Sequence, residues 1–147
     1  MGGAMSASKF EVPEWESVEL LESETVGRMC IVVSDYPIAF PISYRLVRND
    51  AKVRIVFRAA PHAALAQYEG PASLEVDRVD PEHMNSWSVI VRGTLHKVFG
   101  DHELPDTFPL LEGRYQWMVL EVSAVSGRRF VSAPAFDGRG VDWRPAD

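Results

Sequence analysis

The stretch 53–76, VRIVFRAAPHAALAQYEGPASLEV, constrains the fold most, because only a short helical segment separates two strand patterns in it. Its first residues, Val53–Phe57, alternate apolar and more polar side chains, as a half-buried strand does. Residues Ser73–Asp77 resume the same two-residue period. Between them, Pro61 suits the first turn of a helix and Gly70-Pro71 ends that helix. The stretch therefore predicts strand, tight loop, short helix and strand.

The start of this short helix is a candidate anion site. The segment His62–Glu69 follows the strand directly, and Arg58 and His62 flank its beginning. Backbone N–H groups at a helix start have no partner within the helix and point outward, where they bind anions. An ordinary strand-to-helix connection without a ligand produces the same pattern and is the alternative interpretation.

Length, composition and charge narrow the class of protein. A chain of 147 residues with 46% hydrophobic and 24% charged residues is typical of one soluble globular domain. The net charge of −6 argues against a nucleic-acid partner and against an anionic membrane surface. The single cysteine, Cys30, excludes an intrachain disulfide. Because no signal-like segment or bilayer-spanning apolar run is visible, the expected location is the cytoplasm.

The remaining segments read mostly as strands with short connections. We predict a helix over Pro13–Ser23, with Trp15, Val18 and Leu21 on its apolar face, and Gly27-Arg28 as the point where this segment stops before the first strand. A second, short helix is predicted over Pro105–Glu112. Further strands are predicted over Met29–Ser34, Ile38–Val47, Ser86–Val98 and Tyr115–Val125, with turns at Asp35–Pro37 and Arg48–Asp50. About six strands with few helices favour an antiparallel barrel over alternating βαβ units.

Two residues interrupt the strand patterns in informative places. Pro41 cannot donate to a strand ladder, so it marks an edge, a bulge or a place where a ligand replaces the neighbouring strand. Gly93, in the middle of the longest strand, predicts a bulge or a sharp bend of the kind that a closing barrel needs.

The barrel domain is expected to span residues 13–130. Residues 1–12 are expected to be a disordered or expression-derived leader, and residues 131–147 a C-terminal tail rich in glycine, proline and charge. Phe136 and Trp143 in that tail either pack on another surface, such as a partner subunit, or belong to a loosely tethered end.

The order of four segments resembles the pyridoxamine 5′-phosphate oxidase-like family of flavin-binding split barrels. These segments are the helix before Gly27-Arg28, the strand end Pro41–Tyr44, and the runs Ile55–Pro61 and Trp87–Gly93. The likeness covers roughly residues 18–130. It implies a mainly β fold, a six-stranded antiparallel split β-barrel with a few short helices. It also implies a homodimer that binds FMN, or the related deazaflavin, at the subunit interface and oxidises or reduces a small molecule.

The resemblance also implies roles for individual residues. Ile42, Ser43 and Tyr44 would face the flavin ring, Ser88 would hydrogen-bond it and Trp87 would pack against it. Phe57, Arg58, Ala59, Ala63 and Ala64 match the path to the cofactor phosphate. Arg58, His62 and Arg92 are the side chains able to bind that phosphate. Trp117 or Arg128-Arg129 would be the partner subunit's contribution. No catalytic acid or base is identified.

Two other functions remain open when the chain is compared with the family that it resembles. Alanines at 59, 63 and 64 replace polar side chains that relatives carry, and each lost charge-assisted contact costs about 1.5–3 kcal/mol. A dimeric barrel that has lost its flavin and acts without catalysis is therefore one alternative, and a deazaflavin- or haem-binding member is another. The four histidines show no close pairing, so no metal site is predicted.

Overall fold

The computed structural model describes residues 11–80, 82, 85–98, 115–132 and 141–142. Its strands and helices are β1 (Glu11–Val12), α1 (Glu14–Glu22), β2 (Val26–Val33), β3 (Tyr36–Asn49), β4 (Lys52–Ala59), α2 (Ala64–Gln67), β5 (Gly70–Arg78), β6 (Ser86–Lys97), β7 (Gln116–Ser132) and β8 (Val141–Asp142). Every strand pair in this part of the chain is antiparallel.

Six of the strands close into a ring. They lie in the order β7-β4-β3-β2-β5-β6, and β6 pairs with β7 to complete the circuit. The short strands β1 and β8 pair with β7 outside this ring. The predicted six-stranded antiparallel barrel with a few short helices is confirmed. Ring closure pairs β7 with both β4 and β6, although no short hairpin connects β7 to either strand.

The core is made by alternate residues of the strands. Met29 of β2, Leu74 and Val76 of β5, and Val89 and Val91 of β6 are fully buried inside the barrel. Their sequence neighbours point outward, as the two-residue period of a strand requires. Burial of the inward set is the main stabilising contribution, because each such side chain gains about 1.5–3 kcal/mol on leaving water.

Helix α1 lies against the barrel through Val18 and Leu21, which are buried. Trp15, predicted on the same apolar face, is 66% exposed, and that part of the prediction is wrong. Gly27 does not end the helix but lies within β2. A Cβ there would come within 2.9 Å of side-chain atoms of Leu74 and Val76, so the glycine permits close approach of β2 to β5.

The bulge predicted at Gly93 is confirmed. The pairing of β6 with β7 shifts register between Arg92 and Gly93. A Cβ at Gly93 would lie 2.0 Å from the carbonyl oxygen of Glu121, so only glycine fits where the two strands cross this closely.

Several predicted boundaries move. The first hairpin turns at Ser34 and Asp35, both with positive φ, and strand β3 begins at Tyr36 rather than at Ile38. Glu11 and Val12, assigned to the leader by the sequence pattern, form β1. Strand β7 continues to Ser132, beyond the predicted end at Val125. The predicted helix over 105–112 lies outside the described residues, as does the tail apart from residues 131–132 and 141–142.

Candidate functional site

The barrel is split between β3 and β4. Their pairing ends at Tyr44 and Phe57, while β4 continues to Ala59 in contact with β7. Residues 36–43 of β3 pair with β2 and, in the described part of the chain, with no strand on their other side. Pro41 lies in this one-sided stretch, as predicted for an edge, because its nitrogen has no proton to donate to a neighbouring strand.

A cavity of about 340 Å³ occupies this split. Its volume is within the range of small-molecule sites, about 300–1,000 Å³. The lining residues come from β3, the end of β4, the loop before α2, α2 itself and the start of β7: Phe40, Pro41, Ile42, Ser43, Arg58, Ala59, Ala60, Ala63, Leu65 and Tyr115. Five predicted site residues are therefore brought together, namely Ile42, Ser43, Arg58, Ala59 and Ala63.

Arg58 is the cation of this cavity. Its guanidinium carbon lies 5.1 Å from the centre of the Tyr115 ring and 5.3 Å from that of the Trp117 ring. Such cation–π contacts stabilise by about 0.5–1 kcal/mol where solvent has access, and they restrict a flexible side chain. A positioned guanidinium suits a phosphate or carboxylate, because its fork of N–H donors binds two oxygens at once.

The loop beside Arg58 offers few polar side chains. Ala59, Ala60 and Ala63 line the cavity with methyl groups, which neither donate hydrogen bonds nor carry charge. Helix α2 begins at Ala64 and has one turn, so the predicted helix start at Pro61 is wrong. The backbone N–H of Ala63 already donates to the carbonyl of Ala60 at 2.9 Å. The Ala63 N–H is therefore already used within the loop, and Arg58 is the cation among the residues that line the cavity.

Four other predicted site residues lie elsewhere. His62 is exposed and does not line the cavity. Phe57 and Trp87 are buried in the barrel core. Tyr44 is also buried, and its hydroxyl donates a hydrogen bond to the carbonyl of Leu21, which ties β3 to the end of α1. Burial raises the pKa of Tyr44, with a smaller contribution from Glu24, so the phenol stays protonated.

The last two predicted site residues, Ser88 and Arg92, lie on the outer side of β6. Arg92 lines a second cavity of about 340 Å³ together with Cys30 of β2 and Ser73 of β5. This cavity shares no lining residue with the one in the split. Trp87 and Ser88 are consecutive in a strand and therefore point to opposite faces, a signal already present in the sequence.

Sequence reasoning left several cavity residues out of the predicted site. Tyr115 begins the last predicted strand, and aromatic residues in strands usually belong to the core. Phe40, Ala60 and Leu65 have no polar chemistry that would single them out. Pro41 was identified as a possible ligand position, and its neighbours on either side prove to line the cavity with it.

Comparisons with known proteins agree with this architecture. The family model described as pyridoxamine 5′-phosphate oxidase matches residues 13–129. The chain belongs to this family. No curated protein matches it in sequence.

Solved structures with a similar fold include three bacterial proteins. A conserved protein of unknown function from Corynebacterium diphtheriae is 30% identical, over 82% of this chain and 97% of that one, with a TM-score of 0.72. The FAD binding protein from Mycobacterium smegmatis is 25% identical, over 84% and 99%, with a TM-score of 0.69. A FAD-binding protein from Mesorhizobium loti shares the fold at 18% identity, over 80% and 93%, with a TM-score of 0.59.

Two further features concern only the described residues. No helix among them has the length and apolar character to cross a membrane. In the same part of the chain, no group of three or more histidine, cysteine or carboxylate side chains is placed to bind a metal ion.

Proposed function

We propose that the cavity between β3 and β4 binds a flavin nucleotide, FMN, and that the protein is a flavin-dependent oxidoreductase acting on a small molecule. The observation that carries the proposal is the split itself, where an edge of β3 that pairs with no strand in the described part of the chain lines the same cavity as Arg58. Family membership supports it, and so does the FAD binding named for the Mycobacterium smegmatis relative.

The groups present fit the two ends of a flavin nucleotide. The backbone N–H and C=O of Ser43 point away from β2, because Tyr44 N–H donates to the Thr25 carbonyl and backbone groups alternate between the two edges of a strand. No strand in the described part of the chain pairs with them, and they would hydrogen-bond the polar edge of the ring. The apolar walls, Phe40 and Leu65 among them, would exclude water from its faces. Arg58 would bind the phosphate. The bound flavin would supply two-electron transfer, while the protein would orient it and leave room for the substrate.

A ligand titration tests this proposal. FMN, FAD and riboflavin are added to the purified full-length chain, and quenching of flavin fluorescence is followed. Arg58→Ala should weaken FMN binding about 10- to 150-fold, which corresponds to the 1.5–3 kcal/mol of a charged hydrogen bond. Riboflavin, which has no phosphate, should bind both forms equally. Lys52→Ala, at the tip of the β3–β4 hairpin, is the matched control for removing a cation.

The outcomes separate the alternatives. If FAD binds more tightly than FMN, FAD is the cofactor and the proposed site is unchanged. Absence of quenching by any flavin would contradict the proposal. Distinct absorption on adding a deazaflavin or haem would move the chain to that class of cofactor.

A second candidate is a barrel without a flavin, which the methyl groups of Ala59, Ala60 and Ala63 favour because they leave Arg58 alone to neutralise a phosphate. Thermal unfolding distinguishes the two candidates. A ligand at a hundredfold excess over its dissociation constant stabilises the native state by about 2.7 kcal/mol, so a flavin-binding protein melts at a higher temperature with FMN or FAD. The flavin-free candidate predicts an unchanged melting temperature.

A further inference from the structure

Arg58 and Trp117 lie directly opposite each other, where β4 ends and β7 begins. The register of the two strands pairs Arg58 with Trp117 and Ala59 with Gln116. Side chains directly opposite in an antiparallel pair lie on the same face, with Cβ atoms about 4.5–5.5 Å apart, and diagonal neighbours stay within reach of long side chains. Tyr115 is such a neighbour and also contacts the guanidinium. The contact between Arg58 and two aromatic rings therefore follows from strand register.

The backbone at Trp117 is held from the side of β6 as well. Its carbonyl oxygen accepts a hydrogen bond from the backbone N–H of Val98 at 2.9 Å and another from the side-chain amide of Gln116 at 3.0 Å. The same amide of Gln116 donates to the carbonyl of Val98 at 3.2 Å. The start of β7 is thus fixed between β4 and the end of β6. An aromatic side chain on this backbone has a defined position before a ligand enters the cavity.

The two rings differ in their relation to the cavity in the split. Tyr115 lines this cavity and is 39% exposed, so a ligand can contact it. Trp117 is half-buried and does not line the cavity, although its ring centre lies 5.3 Å from the guanidinium carbon of Arg58. A ligand in the cavity therefore meets Arg58 and not Trp117. An effect of Trp117 on ligand binding has to pass through Arg58.

The position of the guanidinium decides how well this end of the cavity binds an anion. Ala59, Ala60 and Ala63 present methyl groups there, and Arg58 is the cation of the lining. An arginine that samples many rotamers loses affinity for a ligand, because its side chain has to be ordered on binding. Both ring centres lie within the roughly 6 Å over which a cation is attracted to an aromatic face. The rings therefore order Arg58 in the protein without ligand.

We propose that Trp117 is a positioning residue, which with Tyr115 holds the guanidinium of Arg58 at the cavity wall of its own chain. Trp117 thereby strengthens the binding of ligands that carry a phosphate or carboxylate and does not affect neutral ligands. The ordering of Arg58 follows from this region alone, and its effect on FMN rests on the proposed function. The family resemblance implies that Trp117 serves the partner subunit, whereas the register gives it a role toward Arg58 of its own chain.

A double-mutant cycle tests the positioning role. Quenching of flavin fluorescence gives the dissociation constants of FMN and riboflavin for the wild type, Trp117→Leu, Arg58→Ala and the double variant. Trp117→Leu should weaken FMN binding about 2- to 12-fold, the cost of immobilising one flexible side chain on binding. Riboflavin, which has no phosphate, should bind Trp117→Leu as it binds the wild type. In the Arg58→Ala background, Trp117→Leu should change neither constant.

Conservative and matched variants separate positioning from a structural role. Trp117→Phe keeps a ring opposite Arg58 and should recover most of the FMN affinity. Trp15→Leu removes an indole that is 66% exposed on α1, and as the control it should leave both constants unchanged. If Trp117→Leu weakened FMN and riboflavin equally, its role would be structural. That result, or an unchanged FMN affinity in Trp117→Leu, would overturn the proposal.

Nuclear magnetic resonance of the flavin-free protein distinguishes this proposal from the proposed function. Ring currents should displace the Nε–H proton resonance of Arg58, and Trp117→Leu should return it toward the value of an unstructured arginine. An Arg58 resonance that Trp117→Leu leaves in place would overturn the proposal. If no flavin binds, only the proposed function is contradicted, and inorganic phosphate, titrated on the same resonance, replaces FMN as the probe. Trp117→Leu should weaken phosphate binding by the same factor, and equal binding to both forms would also overturn the proposal.

Discussion

At the scale of the residue, Tyr44 is a predicted ligand contact whose side chain instead connects β3 to α1. The family resemblance implies that it faces a flavin ring, yet its side chain is buried and its hydroxyl donates to the Leu21 carbonyl. We expect Tyr44→Phe to lower the free energy of unfolding by about 1–2 kcal/mol, because the buried carbonyl loses its donor. Urea denaturation measures this. The exposed Tyr36→Phe is the control and should change stability little.

The same variant tests the role of Tyr44 at the ligand. Because the hydroxyl points to the helix rather than to the cavity, flavin affinity of Tyr44→Phe should equal that of the wild type. If Tyr44→Phe lost flavin affinity while its stability stayed unchanged, Tyr44 would be a residue of the binding site.

A second residue-scale prediction concerns Glu75 and pH. Its pKa is about 7 in the folded chain against 4.5 as the reference value, so between these values the native state holds more protons than the unfolded state. Stability of the monomer should therefore fall as the pH rises from about 4.5 to about 7. Glu75→Gln should remove this decrease in stability with pH. Glu19→Gln, at an exposed position of α1, is the control and should show the same decrease as the wild type.

The measurement is urea denaturation at a series of pH values, at protein concentrations low enough to keep the chain monomeric. If the wild type and Glu75→Gln show parallel pH profiles, Glu75 is not the group responsible.

At the scale of the element, ring closure depends on a crossing that only glycine allows. At Gly93 a side chain would meet the backbone carbonyl of Glu121, whose carboxylate contacts Arg54 and His96. Gly93→Ala should destabilise the protein by about 1–3 kcal/mol or more, as overpacking does. The urea midpoint checks this, and Thr94→Ala at the exposed next position is the control. An unchanged midpoint would mean that β6 and β7 separate there without cost.

The split between β3 and β4 creates the cavity of the candidate site in the barrel. Pro41 cannot donate to a strand, and among the described residues the β3 stretch that contains it pairs on one side only. In a fully paired barrel, the space between Ile42 and Ala59 would be filled by ladder hydrogen bonds and no cavity would exist. The same local break in pairing therefore provides both the volume and backbone groups that no strand in the described part of the chain pairs with.

At the scale of the whole molecule, flavin binding and assembly should be linked if a second copy borders the cavity. A ligand that binds the dimer better than the monomer strengthens the dimer by the same factor. We expect the flavin affinity of wild type to decrease as the protein is diluted into the monomer range.

Fluorescence titration at several protein concentrations measures this linkage. Affinity that is independent of protein concentration would mean that one chain completes the cavity.

The sequence by itself determined the strands, the bulge at Gly93, the edge at Pro41 and the cation at position 58, because a two-residue period and the stereochemistry of proline and glycine are local properties. Only the tertiary structure decided which of these residues meet. Tyr115 reaches Arg58 because β7 pairs with β4 across a long stretch of chain, and Ser88 and Arg92 face away from the cavity because of the position of β6 in the ring. Alternation assigns a side chain to one of two faces, but ring closure, which depends on long-range pairing, decides what each face meets.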